Sequence, residues 1–596
     1  MRFSILCALQ LPRPWDDGAE RRAIRQALEQ AQLADRLGYH GLWVLGHHFH
    51  EEHAHASAPE VLLGAVAART ERLRLGLAGV ATAPAVAHPA RIAEAVAMLD
   101  VLSDGRVELA TTELSSGAEV GGFGLERRAR RQAWHEGLGL VARMLAERPF
   151  TGAREPHVAM PPRAVPPRPL QRPHPPLWLA GARRESARVA AEHGLGALSL
   201  AFLEPDEAAA LVVEHRDVLR SERCVPAGLA INDAVAVALP LMVHADEAEA
   251  IERGIDGVHF HAYATGHYDA FGHHHPGRTS IWEEFVARRD DVGLARSAVV
   301  ADGGPLSVRV LGGGLASVRG AVGTPAQVRD LVRRYADAGV DELVLCVQLG
   351  RTRHEHVCEA LELFAAEVTP AFAASEERHG RGIGDAGRVA LARRPPAPAL
   401  DPAYAFGPDD EAPSATAAAG AEAAEPAPGA ALQRLARRRR PRAWARRAAG
   451  LRGTLETRGQ EAFRRFVASS DDARLERTIG SDAGLRLLFA AMERRFDAQR
   501  AGDFEGDIQY DLRVGGTVRR WTVRVGGGTA SAQPGAVADA ELTLTLGVAD
   551  LARVATGELD PVSAVLSGRL ELHGDFGVAM RLGEMFGQAP GAGPAG

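Results

Sequence analysis

Nine consecutive positions near the start of the chain hold five of its 23 histidines: His47-His48-Phe49-His50-Glu51-Glu52-His53-Ala54-His55. Imidazole is the side chain that titrates closest to neutral pH, so this run suits acid–base work or contact with a polar substrate. A metal site is the other chemistry such a cluster allows. The His-Glu-x-x-His spacing is absent and no matching carboxylate stands out, so no metal is expected. The plain alternative is a solvated polar loop. A second histidine-rich stretch runs from His259-Phe260-His261 through His267 to His273-His274-His275.

Composition removes several other chemistries. All 69 basic residues are arginine. Without a side-chain primary amine there is no Schiff-base lysine, which excludes pyridoxal-phosphate enzymes, lysine aldolases and the phosphate-holding lysine of P-loop NTPases. The cysteines Cys7, Cys224, Cys346 and Cys358 are scattered, with no Cys-x-x-Cys pair, which argues against a disulfide framework or a zinc ribbon. A formal charge of -7 gives no global attraction to nucleic acid or to anionic membrane. The first apolar run is short and reads as a strand rather than a signal peptide, and no apolar run of ~18 residues suggests a membrane span. A cytoplasmic, reduced protein is expected.

These groups need elements to position them. Eight β-rich segments alternate with helical patterns: Phe3–Leu9, Gly41–Leu45, Leu73–Val80, Arg106–Ala110, Pro176–Ala180, Gly196–Leu200, Ala234–Val243 and Glu342–Val347. That order predicts a parallel (β/α)8 barrel over residues 1–375, a TIM barrel, in which residues leaving the strand ends line the active-site mouth. His47 leaves the second strand. A doubly wound sheet is the alternative, but no convincing Gly-x-Gly-x-x-Gly follows the first strand. Residues 376–450 turn Pro-, Ala- and Arg-rich and read as an unfolded linker, with an arginine run from Arg434 to Arg447 that is either solvated or docks an acidic partner. Residues 451–590 read as a separate α+β domain.

The first region resembles the bacterial-luciferase-like, flavin-dependent monooxygenases. The resemblance rests on Ala34-Asp35-Arg36-Leu37-Gly38-Tyr39-His40-Gly41-Leu42-Trp43-Val44 with His47-His48-Phe49, and on Leu99-Asp100-Val101-Leu102-Ser103-Asp104-Gly105-Arg106. It continues through Gln171-Arg172-Pro173-His174-Pro175-Pro176-Leu177-Trp178. It implies a barrel that binds reduced FMN (FMNH2) and uses O2 to oxygenate a small organic substrate. By position, His47 takes the place of the catalytic histidine, with His48 beside it. Val80 and Ala81 match the backbone that meets the flavin ring, often at a strained cis peptide. Ala182, Arg183 and Ser186 match the phosphate site, which a helix start also favours physically. The second histidine stretch falls where relatives carry a lid. Two departures stand out: Gly46 replaces a glutamate, and Glu113 stands where many relatives place a phosphate-binding arginine.

The C-terminal region resembles a sterol-carrier-protein-2 (SCP2) domain, through Gly557-Glu558-Leu559-Asp560-Pro561 and Leu566-Ser567-Gly568-Arg569-Leu570. Such domains enclose an apolar tunnel. The combined expectation is a two-component monooxygenase fed by a separate flavin reductase, acting on a hydrophobic, lipid-like or carrier-presented substrate, with a homo- or heterodimer as its candidate assembly. The rivals are a coenzyme F420-dependent oxidoreductase on the same barrel and a non-catalytic lipid-binding scaffold.

Overall fold

The computed structural model describes residues 1–114, 116–126, 129–183, 185–289, 294, 308–310, 316–372 and 384–407 of the first part of the chain. In the C-terminal part it describes 466–467, 470–501, 504–514, 517–537, 540–556, 559, 564, 569–574, 578, 582 and 585–586. The arginine run at 434–447 and the motif residues 557–558, 560–561 and 566–568 lie outside them. The chain divides into two compact units, parting near residue 420.

In the first unit, eight strands form the barrel: β1 (Arg2–Cys7), β2 (Gly41–Leu45), β3 (Arg74–Ala81), β4 (Val107–Thr112), β5 (Leu177–Gly181), β6 (Gly196–Ser199), β7 (Val235–Val243) and β8 (Glu342–Cys346). Each pairs in parallel with the next, β8 pairs with β1, and the ring is therefore closed. Strands covered on both faces need continuous apolar runs. Val235–Val243 shows this, with every residue buried. Its Pro240 cannot donate a ladder bond, and beyond it Leu241–Val243 pair with a short strand, Ala321–Gly323.

The strand starts carry charge that is neutralised in place. Arg2 pairs with Glu342 and Arg74 with Glu108, while the same carboxylates accept the indole N–H groups of Trp43 (2.9 Å) and Trp178 (2.7 Å). The two indoles meet edge to face at 5.6 Å. Glycine is required opposite each: a Cβ on Gly76 would lie 2.1 Å from Trp43, and one on Gly196 2.4 Å from Trp178. Polar groups at this end of a barrel serve stability.

Helices follow the strands: α1 (Ala19–Leu37), α2 (Pro59–Ala67), α3 (Pro89–Leu102), α4 (Gly117–Gly122), α5 (Arg130–Ala146), α6 (Glu185–Glu192), α7 (Pro205–Arg220) and α8 (Glu247–Gly266). A π-helical turn, His267–Phe271, and α9 (Ile281–Arg288) complete the insertion after β7. Helices α10 (Pro325–Asp337) and α11 (His354–Glu367) close the unit.

Within the segment expected to be an unfolded linker, the described residues 384–407 begin with a helix. Helix α12 (Gly384–Leu391) buries Ala390 with Ala191, Val218, Leu219 and Cys224. Arg393 then donates to the carbonyls of Ser221 and Cys224, and Arg394 to that of Pro226. Composition missed this because the helix is held by a small apolar patch and by arginine caps on backbone carbonyls, not by bulk.

The second unit has a five-stranded sheet of β9 (Gly506–Val514), β10 (Thr517–Gly526), β11 (Thr529–Pro534), β12 (Leu542–Gly547) and β13 (Leu570–Gly574), in the order β11-β10-β9-β12-β13. Helices α13 (Asp472–Ile479), α14 (Asp482–Arg495) and α15 (Val548–Thr556) belong to it. Alternation sends Ile508, Tyr510 and Leu512 inward with Leu542, Leu544 and Leu546. Phe489 of α14 stacks on Trp521 at 4.6 Å. On the other face Asp507 pairs with Arg524 (2.7 Å) and Asp511 with Arg520 (3.3 Å), each directly across the ladder. Pro534 sits on the edge strand, where a missing donor does no harm.

Candidate active site at the strand ends

The expected site residues collect at one end of the barrel because each leaves a parallel strand at its C-terminal end. His47 and His48 follow β2, Val80 and Ala81 end β3, and Ala182, Arg183 and Ser186 follow β5.

His47 is held by a residue the sequence reading passed over. Its Nδ1 lies 3.2 Å from Oε1 of Glu119, which also accepts the backbone N–H of His48 at 3.0 Å. The other carboxylate oxygen accepts the Ser116 hydroxyl at 2.9 Å. Ser116 is the N-cap of α4 and takes the Glu119 N–H in return. The local signal was the Ser-x-x-Glu spacing of a helix cap, which here doubles as a carboxylate support for imidazole. Burial opposes charge on His47, but the Glu119 hydrogen bond and charge outweigh it, so the ring titrates above the usual histidine value. Burial likewise opposes ionisation of Glu119, yet bonding to His47 and the charges around it bring its carboxyl down to about 2. The pair therefore favours an imidazolium facing a carboxylate.

The neighbouring rings are kept neutral. Burial, reinforced by the charge on His47, lowers His50 to about 3 and His261 to about 4. Burial also pushes His53 well below its usual value. His48 is lowered for the same first reason. His50 stacks on His47 at 4.6 Å and on Tyr268 of the π-turn at 4.1 Å. Next in sequence, Asp269 is exposed yet hemmed in by protein. That surrounding protein raises its carboxyl to about 6, with His47 opposing the shift and Glu119 adding to it.

His47, His50 and His53 offer ring nitrogens within 4.8 Å of one another, the spacing a metal would use. The ring geometry disfavours it. A ligand's metal lies in its ring plane, whereas His47 and His50 are stacked with planes only 24° apart. One nitrogen of each ring is already engaged, by Glu119, Ser116 and Gln10 respectively.

The insertion is tied to the histidine loop. Glu52, fully buried, accepts the N–H groups of Ile281 (2.7 Å) and Trp282 (3.1 Å) at the start of α9, and that of Arg13 (2.9 Å). Glu51 accepts Gly277 N–H at 2.8 Å, and its carbonyl takes the Tyr268 hydroxyl at 2.9 Å.

At the end of β3 the chain is distorted, but not by a cis peptide. Among the described residues every cis bond precedes proline, so Val80–Ala81 is trans. The distortion is a register shift between Leu77 and Val80 around Gly79, whose φ of 78° favours glycine. The Val80 carbonyl accepts the Thr111 hydroxyl (2.9 Å), which in turn accepts Trp134 Nε1–H (2.9 Å). The backbone there is braced.

Ser186 folds back over the end of β5, so that a Cβ on Gly181 would lie 2.4 Å from its hydroxyl. Ala182 is exposed beside it. The Glu113 problem has a local solution. Arg131 of α5 pairs with Glu113 at 3.2 Å and with Glu185 at 3.4 Å, and Arg183 also reaches Glu185 at 3.3 Å. Both carboxylates near the helix start are therefore matched by arginine. Gly46 is equally accommodated, with Pro59 filling the space where a side chain would begin (3.1 Å).

The profile of the luciferase-like monooxygenase family matches residues 1–342, and the chain belongs to that family. Residues 489–587 match the SCP-2 sterol transfer family. Among curated relatives, the y4wF protein of Sinorhizobium fredii is 33% identical over 234 residues, covering 39% of this chain and 66% of its own. The oxygenase component of flavin-dependent trigonelline monooxygenase from Acinetobacter baylyi is 25% identical over 387 residues, covering 64% of this chain and 98% of its own. The monooxygenase RslO1 of Streptomyces bottropensis has a similar structure, with TM-score 0.48 and 24% identity, over 63% of this chain and 100% of its own. No described helix is long and apolar enough to cross a membrane.

Proposed function

We propose that the protein is the oxygenase component of a two-component flavin-dependent monooxygenase. It takes reduced FMN from a separate reductase and oxygenates a hydrophobic organic substrate, for which the SCP2-like domain is the apolar binding module. The observation that carries this reading is the His47–Glu119 ion pair at the end of β2 in a luciferase-family barrel. The relative named as an oxygenase component supports the division of labour with a reductase.

The residues present fit a flavin. The start of α6 offers backbone N–H groups and the Ser186 hydroxyl to a phosphate, and Arg183 and Arg131, paired here with Glu185 and Glu113, would turn from those carboxylates to bind it. The braced backbone at Val80 and Ala81 offers a fixed edge to a planar ring. When bound and reduced, the flavin supplies the electrons that activate O2. His47 then donates a proton from its imidazolium form, which the Glu119 carboxylate stabilises by hydrogen bond and charge, and a proton from solvent restores that form; the neutral rings beside it keep further charge out of the mouth.

Fluorescence titration with FMN tests the phosphate assignment. Ser186→Ala combined with Arg183→Glu should weaken binding about tenfold or more, as expected for losing charge-assisted hydrogen bonds; unchanged affinity places the phosphate elsewhere. Parallel assays with FMNH2 in air and with reduced F420 under argon separate this reading from the hydride-transfer alternative. Failure to bind either flavin would leave the scaffold reading.

A further inference from the structure

Gln10, fully buried just past β1, makes an unusual set of bonds. Its Oε1 accepts the backbone N–H of Gly350 at 2.8 Å, which fixes the amide orientation because a flipped amide would set donor against donor. Its backbone is clamped to Gln348 through Gln10 N–H to Oε1 (3.0 Å) and Gln348 Nε2–H to the Gln10 carbonyl (2.9 Å). The two hydrogens of Nε2 are then committed. One lies toward Nδ1 of His53 and the other toward Nδ1 of His261, both at 2.9 Å.

A ring nitrogen that accepts carries no proton, so both imidazoles, neutral by burial, carry theirs on Nε2. On an imidazole the two nitrogens point well apart, and the Nε2–H groups are turned away from Gln10. Among the described residues neither Nε2 has a protein partner. Neither Nε2 is among the buried polar atoms left without a partner, so each keeps access to solvent or to an occupant of the mouth. The two rings lie 5.2 Å apart, with His47 at 5.8 Å from His53 and Phe202 at 5.4 Å from His261. Two uncharged donors thus sit between the charged acid–base pair and an apolar wall.

We propose that His53 and His261 form a paired N–H donor site that takes the oxygen of an uncharged acceptor group, such as a ketone, ester or amide, on the organic substrate. Gln10 is the positioning residue that sets both tautomers. This deepens the monooxygenase reading by naming the substrate chemistry, and it rests on that reading only for what happens to the bound molecule.

Nitrogen-15 NMR of the histidine rings in the full chain should show both as Nε2–H tautomers. The probes are 2-octanone and 2-methyl-1-octene, which differ by C=O against C=CH2. The ketone should bind about tenfold more tightly, the value of two modest net hydrogen bonds, and shift both Nε2–H signals. Gln10→Glu places an acceptor against both Nδ1 atoms, inverts the tautomers and erases the ketone's advantage. Should that variant fold poorly, His261→Phe keeps the ring volume, removes one donor and should reduce the advantage by about threefold. Nδ1–H tautomers in the wild type, equal binding of the two probes, or no binding of the ketone would each overturn the proposal. FMN titration of the same samples keeps the two readings separable: loss of flavin binding sinks the monooxygenase, not the donor pair.

Discussion

At the mouth of the barrel Gln10, His50, Glu52, His53 and Glu119 are all buried, whereas in the C-terminal unit the buried polar side chains among the described residues are Ser470, Gln509 and Thr522. The second unit puts its charges on the outer face of its sheet, in pairs such as Asp507–Arg524. Burying polarity is costly unless every group is met, and the barrel meets most of its own through chains of hydrogen bonds ending on backbone. The contrast separates a unit that gathers titratable side chains at its strand ends from one built around an apolar interior. A change at the mouth should therefore act mainly on turnover, and a change in the second unit mainly on stability.

The largest effect belongs to His47. His47→Ala should lower turnover by about 10²–10⁴-fold, as for removal of a positioned acid or base, while FMN affinity stays near wild type. Turnover close to wild type would reduce the ion pair to a structural feature and dissolve the contrast. On the other side, Phe489→Ala removes the stack on Trp521 and should destabilise the C-terminal unit by about 3–5 kcal/mol, the usual range for a buried phenylalanine. Calorimetry should show that loss in one transition only. A shift of both transitions would mean that the units fold as one.

Glu119→Gln comes next. Removing one partner of a buried pair costs about 3 kcal/mol, because the other charge is left unmet. The pH dependence has two limits. Glu119 is lowered from 4.5 to about 2 on folding, so its contribution is present above pH 4.5 and is lost as pH falls toward 2. His47 is raised above 6.5, so its contribution is present below that value and is lost as pH rises through its folded pKa. The groups facing the pair are His50, His48 and Asp269, of which Asp269 also titrates, at about 6. The difference in stability between wild type and Glu119→Gln should therefore be greatest between about pH 4.5 and 6.5. A difference independent of pH would rule out an ionised pair.

The barrel was legible because fully buried parallel strands must be apolar runs, and all eight stood out as such, from Phe3 to Val347. His47 and His48 were legible as the residues leaving β2. Glu119 was not, because a Ser-x-x-Glu helix start carries no sign that its carboxylate reaches an imidazole 72 positions away. Gln10 was hidden for the same reason, since its partners lie at positions 53, 261 and 350. Arg131 was invisible as the counterion of Glu113, so the sequence suggested a repulsion that the fold removes. In the second unit β9, β10 and β12 were visible by alternation. Strand β11 was missed because Thr529–Pro534 has little apolar character, as an exposed edge allows.

The smallest expected effect concerns the link between the two units. If the SCP2-like domain holds apolar substrate for the barrel, tethering raises the local concentration of a molecule whose free concentration in water is small. Deleting residues 450–596 should then raise apparent KM for long-chain substrates by about tenfold, a modest share of what a tether can supply. Short, soluble substrates and FMN binding should be nearly unaffected. The cut is clean with respect to the barrel: α12, Arg393 and Arg394, which pack on it, lie well before residue 450 and stay in place. An increase in KM therefore cannot come from stripping that cover. Equal increases for short and long chains would mean that the domain supports the barrel or its assembly. No increase for either would make it a separate binding module, and the contrast between the units would then describe two proteins on one chain rather than one enzyme with its own supply.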